Sequence, residues 1–169
     1  MEKILKIGFV GLTHLGLNYL AASVEKGFRI IGVDLNQNRI DKLKRFDIEY
    51  DEPNLKETII KNSKQIFFSS NLNSLKRCHI VFVSQDVETD NNGRGDLNSL
   101  KKLIQKASKF LNRKAILIIL SQVRPGFTRK INFENTRLYY QVETLMFGNA
   151  IERALKPERI IIGCKSSES

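Results

Sequence analysis

The sequence is poor in cysteine and lacks the segments that mark secreted or membrane proteins. Two cysteines among 169 residues, Cys78 and Cys164, cannot build a disulfide framework, so we expect a reduced, cytoplasmic protein. The amino-terminal stretch "MEKILKIGFVG" has no long apolar region and no small-residue cleavage site, so we predict no secretory signal. The longest aliphatic run, residues 115–120, is far too short to span a bilayer, and we predict no membrane partner.

Patterns for metal binding and for serine catalysis are also lacking. No cluster of histidine, cysteine and carboxylate residues has the spacing of metal ligands, so we predict no metal site. No glycine-x-serine-x-glycine elbow is present, which argues against a serine hydrolase. Neither cysteine lies in a clearly cationic or helix-amino-terminal setting, so we expect both thiols to be structural rather than reactive.

Positive charge is in excess, with 28 Lys and Arg against 18 Asp and Glu and a formal net charge of +10. A basic protein can attract nucleic acid, an anionic surface or a phosphorylated small molecule. The cations are spread along the whole chain, however, and the densest cluster, "DKLKR" at 41–45, has the spacing of a solvated helix face. Because no RNA-binding aromatic signature accompanies them, we predict no nucleic-acid partner.

Short runs rich in Ile, Val and Phe alternate along the chain with helical patterns. We predict strands at residues 4–10, 28–34, 65–69, 79–84, 115–120, 137–142 and 159–163. We predict helices from apolar residues at helical spacing within 17–24, 40–46, 54–62 and 97–111. Asp96 is placed to cap the last helix. Continuous apolarity in the strands indicates burial on both faces. The alternation predicts an α/β fold: a Rossmann-like doubly wound, mainly parallel sheet with helices on both faces.

The stretch "KIGFVGLTHLG" is typical of a strand that turns into a helix through a dinucleotide-binding loop. In such a loop, backbone N–H groups at the helix amino terminus point at the pyrophosphate, and the helix dipole favours its negative charge. Gly11 is the glycine that permits the tight turn, and Gly16 is the one that lets helix and strand pack closely. Thr13 stands where a middle glycine would let the backbone approach the phosphates.

The second predicted strand ends in Asp34, about 20 residues after the loop, as the dinucleotide fingerprint requires. An acidic residue there binds the ribose 2′-hydroxyl of NAD and repels the 2′-phosphate of NADP. The pattern therefore favours NAD as the cofactor, although a flavin or S-adenosylmethionine enzyme would show much the same pattern. The structural alternative is that Thr13 simply caps its helix and Asp34 caps the next turn.

Five ordered segments cover almost the whole chain. They are "KIGFVGLTHLG…GVDLNQNRIDKL", "DEPNLKETI" (51–59), "VFVSQDVETDNNGRGDL" (81–97), "LSQVRPGFTRKI" (120–131) and "QVETLMFGNAIERALKPERIIIG" (141–163). Together they resemble the N-terminal NAD-binding domain of the UDP-glucose/GDP-mannose (nucleotide-sugar) dehydrogenases. These oxidoreductases oxidise the C6 alcohol of a nucleotide sugar to a carboxylate in two NAD-dependent steps. The resemblance implies a UDP-glucose 6-dehydrogenase-like protein of polysaccharide biosynthesis whose substrate is a UDP-sugar.

The resemblance also implies site residues. They are Gly11, Thr13, His14 and Leu15 at the pyrophosphate, Asp34 and Arg39 at the adenosine ribose, Ser121 and Gln122 at the nicotinamide half, and Glu143 as a catalytic carboxylate. His14 either touches a phosphate or lies at the solvent edge of its helix. Thr13, in place of a glycine, is expected to weaken NAD binding without abolishing it, because its hydroxyl can donate a hydrogen bond to phosphate.

Two departures from the family pattern concern catalysis. Gln122 replaces a threonine near the active centre, and Phe147 replaces the second glutamate of a pair whose first member is Glu143. A phenylalanine cannot transfer a proton, so a mechanism that relies on that second carboxylate is in question. These exchanges motivate an alternative of another class, a non-catalytic nucleotide-binding or regulatory module on the same fold. A third hypothesis, a basic nucleic-acid binder, rests on net charge only.

The resemblance further implies a domain organisation. We expect a dinucleotide-binding domain over residues 1–163 and a tail over 164–169, without the family's central helix and C-terminal substrate domain. A truncated chain of this kind would lack the catalytic cysteine domain and would not complete the oxidation alone. A homo-oligomer would also lack the helix on which family dimers rest.

Overall fold

The computed structural model describes residues 4–87, 95, 97–131 and 137–164, which form one sheet with helices packed against it. The strands are β1 (Lys6–Val10), β2 (Arg29–Val33), β3 (Ile66–Ser69), β4 (Ile80–Val83), β5 (Ile116–Ile119), β6 (Arg137–Gln141) and β7 (Ile162–Gly163). The helices are α1 (His14–Glu25), α2 (Gln37–Lys44), α3 (Leu55–Lys61), α4 (Leu97–Ser108) and α5 (Ala150–Leu155). The predicted cap Asp96 and the tail residues 165–169 lie outside the described residues.

The sheet has the strand order β3-β2-β1-β4-β5-β6-β7. Strands β1 to β6 are parallel, and β7 pairs antiparallel with β6 at the edge. The chain winds outward from β1 to β3 and then returns to the other side of β1 at β4, which places helices on both faces. The predicted Rossmann-like, doubly wound fold is confirmed, and so are the seven predicted strands.

Both faces of the central strands are buried, which explains their continuous apolarity. Along β1, Phe9 packs on the face covered by α1, whereas Val10 packs in a second cluster with Ile104 of α4. Successive side chains of a strand point to opposite faces, so a strand covered on both sides needs apolar residues throughout. Each fully buried Leu or Phe contributes about 1.5–3 kcal/mol through removal of its side chain from water.

The four predicted helices are present, and their apolar stripes face the sheet. In α4, the buried residues Leu100, Leu103, Ile104 and Ala107 follow helical spacing. In α2, the side chain of Asn36 accepts a hydrogen bond from the Arg39 N–H at 3.2 Å and so caps the amino terminus. Phe46, predicted to continue the α2 stripe, lies beyond the helix end at φ 59° and still packs against the same core.

Several short elements were not predicted. They are α5 and the 3₁₀ helices at Ser63–Gln65, Leu72–Arg77 and Thr128–Lys130. Helix α5 packs against α1, where Ile151 joins the core. The crossover from β3 to β4 contains the 3₁₀ helix Leu72–Arg77 instead of a longer α-helix. Within the described ranges, every helix is too short or too polar to cross a membrane.

Candidate functional site

The candidate site lies at the carboxyl edge of the sheet, where the loops after β1, β2, β4, β5 and β6 meet. In an open parallel sheet, ligands bind outside the carboxyl ends of the strands where the winding direction reverses. Here the reversal falls between β1 and β4, which are neighbours in the sheet. The residues predicted for the site follow the strands or begin a helix at this edge: Gly11, Thr13, His14, Leu15, Asp34, Arg39, Ser121, Gln122 and Glu143.

Two glycines let α1 approach β1 and β4 closely. Gly11 has a φ of +87°, and a Cβ there would lie 2.7 Å from the Gln85 backbone. A Cβ at Gly16 would lie 2.2 Å from the carbonyl oxygen of Gly11 and 2.7 Å from the Ser84 Oγ. Real Cβ atoms do not approach that closely, so both positions require glycine. The two glycines therefore let α1 and the loops after β1 and β4 pack in direct contact, which a side chain at either position would prevent.

Thr13 joins the loop after β1 to the loop after β4. Its hydroxyl donates a hydrogen bond to the Ser84 carbonyl oxygen at 3.1 Å and accepts one from the Asp86 N–H at 3.0 Å. Thr13 occupies the N-cap position of α1, yet its side chain makes no capping hydrogen bond. In this arrangement the Thr13 proton is donated to Ser84, and a contact of this hydroxyl with phosphate stays a prediction.

Ser84 was not predicted as a site residue, although it lies at the centre of this loop. Its side chain is fully buried, and its hydroxyl donates to the Gly11 carbonyl oxygen at 3.0 Å. The amides of the first turn of α1, including those of His14 and Leu15, have no acceptor within the helix. These N–H groups and the helix dipole make the loop suited to a negative charge. The Leu15 side chain is buried, so its contribution there is its backbone N–H.

Asp34 connects the loops after β1 and β2 and is itself buried. Its Oδ2 accepts hydrogen bonds from the Leu12 N–H at 2.9 Å and from Arg39 Nη1 at 3.0 Å. Its Oδ1 accepts from the Asn36 N–H at 2.9 Å, which is the turn-capping role considered as the structural alternative. The structure thus brings Asp34 and Arg39 together. The Leu12 amide, which sequence reasoning missed, holds the carboxylate beside the glycine loop.

The His14 imidazole points away from the loop and into a small polar and aromatic cluster. Its Nε2 lies 2.9 Å from Glu52 Oε2. The ring stacks on Phe147 with centroids 4.4 Å apart and meets Tyr50 edge-on at 5.6 Å. The imidazole is therefore largely buried by Glu52 and two aromatic rings, and a contact with phosphate stays a prediction.

Glu52 is the buried acceptor of this cluster, and its role was not predicted. Its side chain is 1% exposed, and besides His14 it accepts hydrogen bonds from the N–H groups of Ala150 at 2.8 Å and Gly148 at 3.2 Å. Burial alone would raise the pKa of Glu52, but these hydrogen bonds outweigh it and hold the pKa below its ordinary value. Nothing in the sequence indicates that residues 14, 52 and 148 meet.

The predicted nicotinamide-side residues lie beside a cavity of about 110 Å³. Its lining residues are His14, Leu15, Asp86, Gln122, Glu143, Leu145 and Phe147. Gln122 Nε2 donates to Glu143 Oε2 at 3.0 Å, and the Leu145 N–H donates to Glu143 Oε1. Ser121 is buried beside them and donates to the Val83 carbonyl oxygen at 3.4 Å. The structure therefore brings Gln122 and Glu143 together and adds Asp86, which sequence reasoning missed.

The part of the chain that the structure describes holds no group of three or more His, Cys, Asp and Glu residues placed to bind a metal ion. The Cys78 thiol is buried, and this burial raises its pKa to about 12. A thiol with that pKa is not a nucleophile at neutral pH, in agreement with its expected structural role.

We expect Cys78 to resist alkylation while the protein is folded. With a pKa of about 12, only about one thiol in 10⁴ is ionised at pH 8, and the side chain is also 3% exposed. Treatment with iodoacetamide followed by peptide mass spectrometry should label position 78 in denaturant and leave it unlabelled in native buffer. A Cys78→Ser variant, digested alongside, identifies the peptide. Native labelling at the rate of an unfolded control would contradict this assignment.

Known proteins with similar sequences and folds identify this arrangement. The family model described as "UDP-glucose/GDP-mannose dehydrogenase family, NAD binding domain" matches residues 5–169. A UDP-N-acetyl-D-glucosamine 6-dehydrogenase of Pseudomonas aeruginosa is 31% identical over 166 residues, covering 96% of this chain and 37% of that protein. A UDP-N-acetyl-D-mannosamine dehydrogenase of Methanococcus maripaludis is 27% identical, covering 98% of this chain and 40% of that protein.

A solved structure shares the fold. The UDP-glucose dehydrogenase of the archaeon Pyrobaculum islandicum superposes with a TM-score of 0.86 at 20% identity, covering 98% of this chain and 42% of that one. The chain thus spans about two fifths of the length of these relatives, in the part that the family model assigns to NAD. The glycine loop, the buried Asp34 and the doubly wound sheet agree with that assignment. The chain belongs to the UDP-glucose/GDP-mannose dehydrogenase family, as its NAD-binding domain.

Proposed function

We propose that the carboxyl-edge site holds NAD for the oxidation of an alcohol of a nucleotide sugar, as in a UDP-sugar 6-dehydrogenase. The observation that carries this proposal is the close approach of α1 to β1 at Gly11 and Gly16, with Asp34 hydrogen-bonded to the same loop. The names of the relatives, which act on UDP-linked sugars, support the substrate class. Activity of a whole protein would need a substrate-binding part, since this chain spans only about two fifths of those relatives.

The proposed cofactor contacts follow from the free donors and acceptors at this edge. The pyrophosphate would lie over the glycine loop and accept hydrogen bonds from the first-turn amides of α1, including those of His14 and Leu15. Thr13 would keep the glycine loop in this conformation through its hydrogen bonds to the loop after β4. The Asp34 carboxylate would accept a hydrogen bond from the adenosine ribose, and Arg39 would keep it oriented.

The nicotinamide half would lie toward Ser121 and Gln122, beside the small cavity. NAD bound there would supply the acceptor for a hydride from the alcohol carbon. Glu143 is positioned there by Gln122 and the Leu145 N–H, and it would accept or relay a proton of the reacting group. Asp86 lines the same cavity and supplies a second carboxylate nearby.

A second candidate function is a non-catalytic nucleotide-binding or regulatory module. It is favoured by Phe147, a residue that is 85% exposed and whose ring stacks on His14, at a position where the family resemblance implies a glutamate. A hydride-transfer assay at 340 nm with a panel of UDP-sugars separates the two functions when this chain is fused to the substrate-binding part of a related UDP-sugar dehydrogenase, since the chain spans only about two fifths of those relatives. Reduction of NAD by that fusion supports the enzyme, whereas binding of NAD without turnover supports the module.

Further proposals concern the biosynthetic role, the cellular location and the domain boundaries of this protein. We infer a role in polysaccharide biosynthesis and a cytoplasmic location from the resemblance and from the low cysteine content. We also propose that residues 1–163 act as one dinucleotide-binding domain.

Calorimetric titration with NAD and NADP tests the cofactor site. We expect NAD to bind with a dissociation constant below about 1 mM and NADP to bind at least tenfold more weakly, because Asp34 repels the 2′-phosphate. Asp34→Ala should weaken NAD binding about tenfold or more, since it removes a charged acceptor worth about 1.5–3 kcal/mol. Asp51→Ala, at an exposed aspartate, is the matched control and should bind NAD normally. No binding of NAD up to several millimolar would refute the proposal.

A further inference from the structure

A large groove lies at the amino edge of the sheet, opposite the cofactor site. It has a volume of about 710 Å³. Lys6, Arg29 and Ile66, the first residues of β1, β2 and β3, line it, which places it at the amino ends of three neighbouring strands. We call it the amino-edge groove. None of the residues assigned to NAD lines it.

The amino-edge groove is open because the crossover above it is short. The chain passes from β3 to β4 through the 3₁₀ helix Leu72–Arg77, which borders the groove with Asn73, Ser74 and Arg77. Phe67 of the edge strand β3 pairs in register with Ile31 of β2, so both side chains lie on the same face of the sheet. Phe67 is 58% exposed. A large aromatic ring is therefore presented to solvent on the groove floor.

The charged side chains that line the groove together with Phe67 are all positive. The cations that line the groove are Lys6, Arg29, Lys64 and Arg77, and no Asp or Glu is among its described lining residues. None of these four cations belongs to an ion pair within the described part of the chain. Because these like charges are not compensated, they repel each other. An anionic ligand in the groove would reduce this repulsion, which favours its binding.

We propose that the amino-edge groove binds a nucleoside phosphate. The volume lies within the range of about 300–1,000 Å³ that small-molecule sites occupy. The exposed Phe67 ring offers a face on which a base can stack, and the surrounding Lys and Arg side chains suit phosphate oxygens. Gln65 and Asn73 at the groove supply amide donors and acceptors for a base edge. A second copy of this chain is a poor occupant, because its own net charge is also +10.

The absence of tryptophan from the sequence allows a direct test. A Phe67→Trp variant carries its single indole in the amino-edge groove, and a Phe147→Trp variant carries it at the cofactor site. Titration of the first variant with UMP, UDP and ATP should quench its fluorescence saturably, with a midpoint below about 1 mM. The quenching should persist when Asp34→Ala is added to disable the cofactor site, because Asp34 does not line the amino-edge groove and the two sites lie at opposite edges of the sheet. Loss of the signal in that folded double variant would overturn the proposal.

Charge variants show whether the cations form the site. Combining Arg29→Gln and Arg77→Gln in the Phe67→Trp background should weaken nucleotide binding about tenfold or more, since each charge-assisted hydrogen bond contributes measurably to affinity. The matched control removes two exposed cations of α4 that do not line the groove, by Lys101→Gln and Lys102→Gln, and should leave the midpoint within about twofold. Equal weakening in both variants would overturn the proposal and indicate attraction by net charge alone.

The source of the nucleoside phosphate is read from two further titrations. An oligothymidylate that binds far more tightly than its mononucleotide would identify single-stranded nucleic acid as the source, and equal midpoints would identify the free nucleotide. Both results support the site. Inorganic pyrophosphate that displaces the nucleotide at the nucleotide's own midpoint, and so restores the fluorescence of the Phe67→Trp variant, would show that the base adds no affinity and would refute base stacking. These outcomes are independent of the NAD titration, because the Phe147→Trp variant reports binding at the cofactor site separately.

Discussion

Replacing Gly16 by alanine is expected to destabilise the folded protein by about 1–3 kcal/mol, and by more if the backbone cannot yield. The new Cβ would lie 2.2 Å from the Gly11 carbonyl oxygen, which belongs to the backbone and cannot rotate away. Alanine stabilises a helix by about 1 kcal/mol relative to glycine. The steric cost must therefore exceed about 1 kcal/mol before the variant shows a net loss of stability. Urea denaturation followed by circular dichroism measures the net effect.

Gly163→Ala is the matched control for this substitution. A Cβ at Gly163 meets its nearest neighbours, the Cβ and carbonyl oxygen of Tyr140, at 3.8 Å, which is an ordinary contact. We expect the urea midpoint of this variant to stay close to that of the parent protein. A Gly16→Ala protein as stable as Gly163→Ala would show that α1 can move away from β1 at little cost.

The same substitution is expected to weaken NAD binding, because a displaced α1 no longer aims its first-turn amides at the phosphate position. We expect an affinity loss of at least about tenfold in calorimetry, corresponding to about 1.4 kcal/mol. The titration is made without urea, at a temperature at which circular dichroism shows the variant to be folded. Unchanged affinity in a folded variant would mean that the helix terminus does not hold the pyrophosphate.

Glu52→Ala is expected to cause a loss of stability of about 2–4 kcal/mol, because hydrogen bonds to a charged acceptor contribute about 1.5–3 kcal/mol each and buried donors are left unsatisfied. The substitution leaves the N–H groups of Gly148 and Ala150 without their acceptor and removes the partner of His14. It thereby uncouples α5 from the loop that precedes α3. Thermal and urea denaturation measure the loss. Glu158→Ala is the control, since Glu158 pairs with Arg153 at an exposed site and should cost about 0–1 kcal/mol.

The contribution of Glu52 is also expected to depend on pH. Its pKa lies below the ordinary value in the folded protein, because hydrogen bonds from Ala150, His14 and Gly148 outweigh burial. A depressed pKa means that the stabilisation is complete above the unfolded pKa of about 4.3 and is lost as pH falls through the folded pKa. The stability difference between the parent protein and Glu52→Gln should therefore shrink below about pH 4. A difference that is constant from pH 7 to pH 3 would contradict this linkage.

The strands, four of the helices and the glycine loop were predictable because their signals are local. Continuous apolar runs indicate buried strands, and the i, i+3, i+4 spacing in α4 indicates an amphipathic helix, whatever lies elsewhere in the chain. The same holds for Gly11, Gly16 and Asp34, whose spacing along the chain follows from one strand–helix–strand unit. Helix α5 was missed because its six residues are too few to show a helical period.

Contacts between distant segments could not be predicted. The Thr13 hydroxyl bonds to Ser84 and Asp86, and the His14 imidazole meets Glu52, because parallel strands bring loops from separate parts of the chain to one edge. Residues 13 and 14 therefore have partners that their own surroundings in the sequence do not reveal. For this reason the sequence could not show that the Thr13 hydroxyl already has an acceptor in the Ser84 carbonyl oxygen.

The distribution of charge also shows the difference between local signals in the sequence and contacts that the fold creates. In the sequence the cations are scattered among many segments, which argued against a nucleic-acid partner. The fold gathers Lys6, Arg29, Lys64 and Arg77 at the amino ends of three strands, where no carboxylate among the described lining residues offsets them. Composition and local spacing thus determined the fold class and the cofactor loop, because both depend on interactions between residues that are close in the sequence. The partners of each loop and the place where charge accumulates were decided by strand order, because that order sets which distant residues become neighbours.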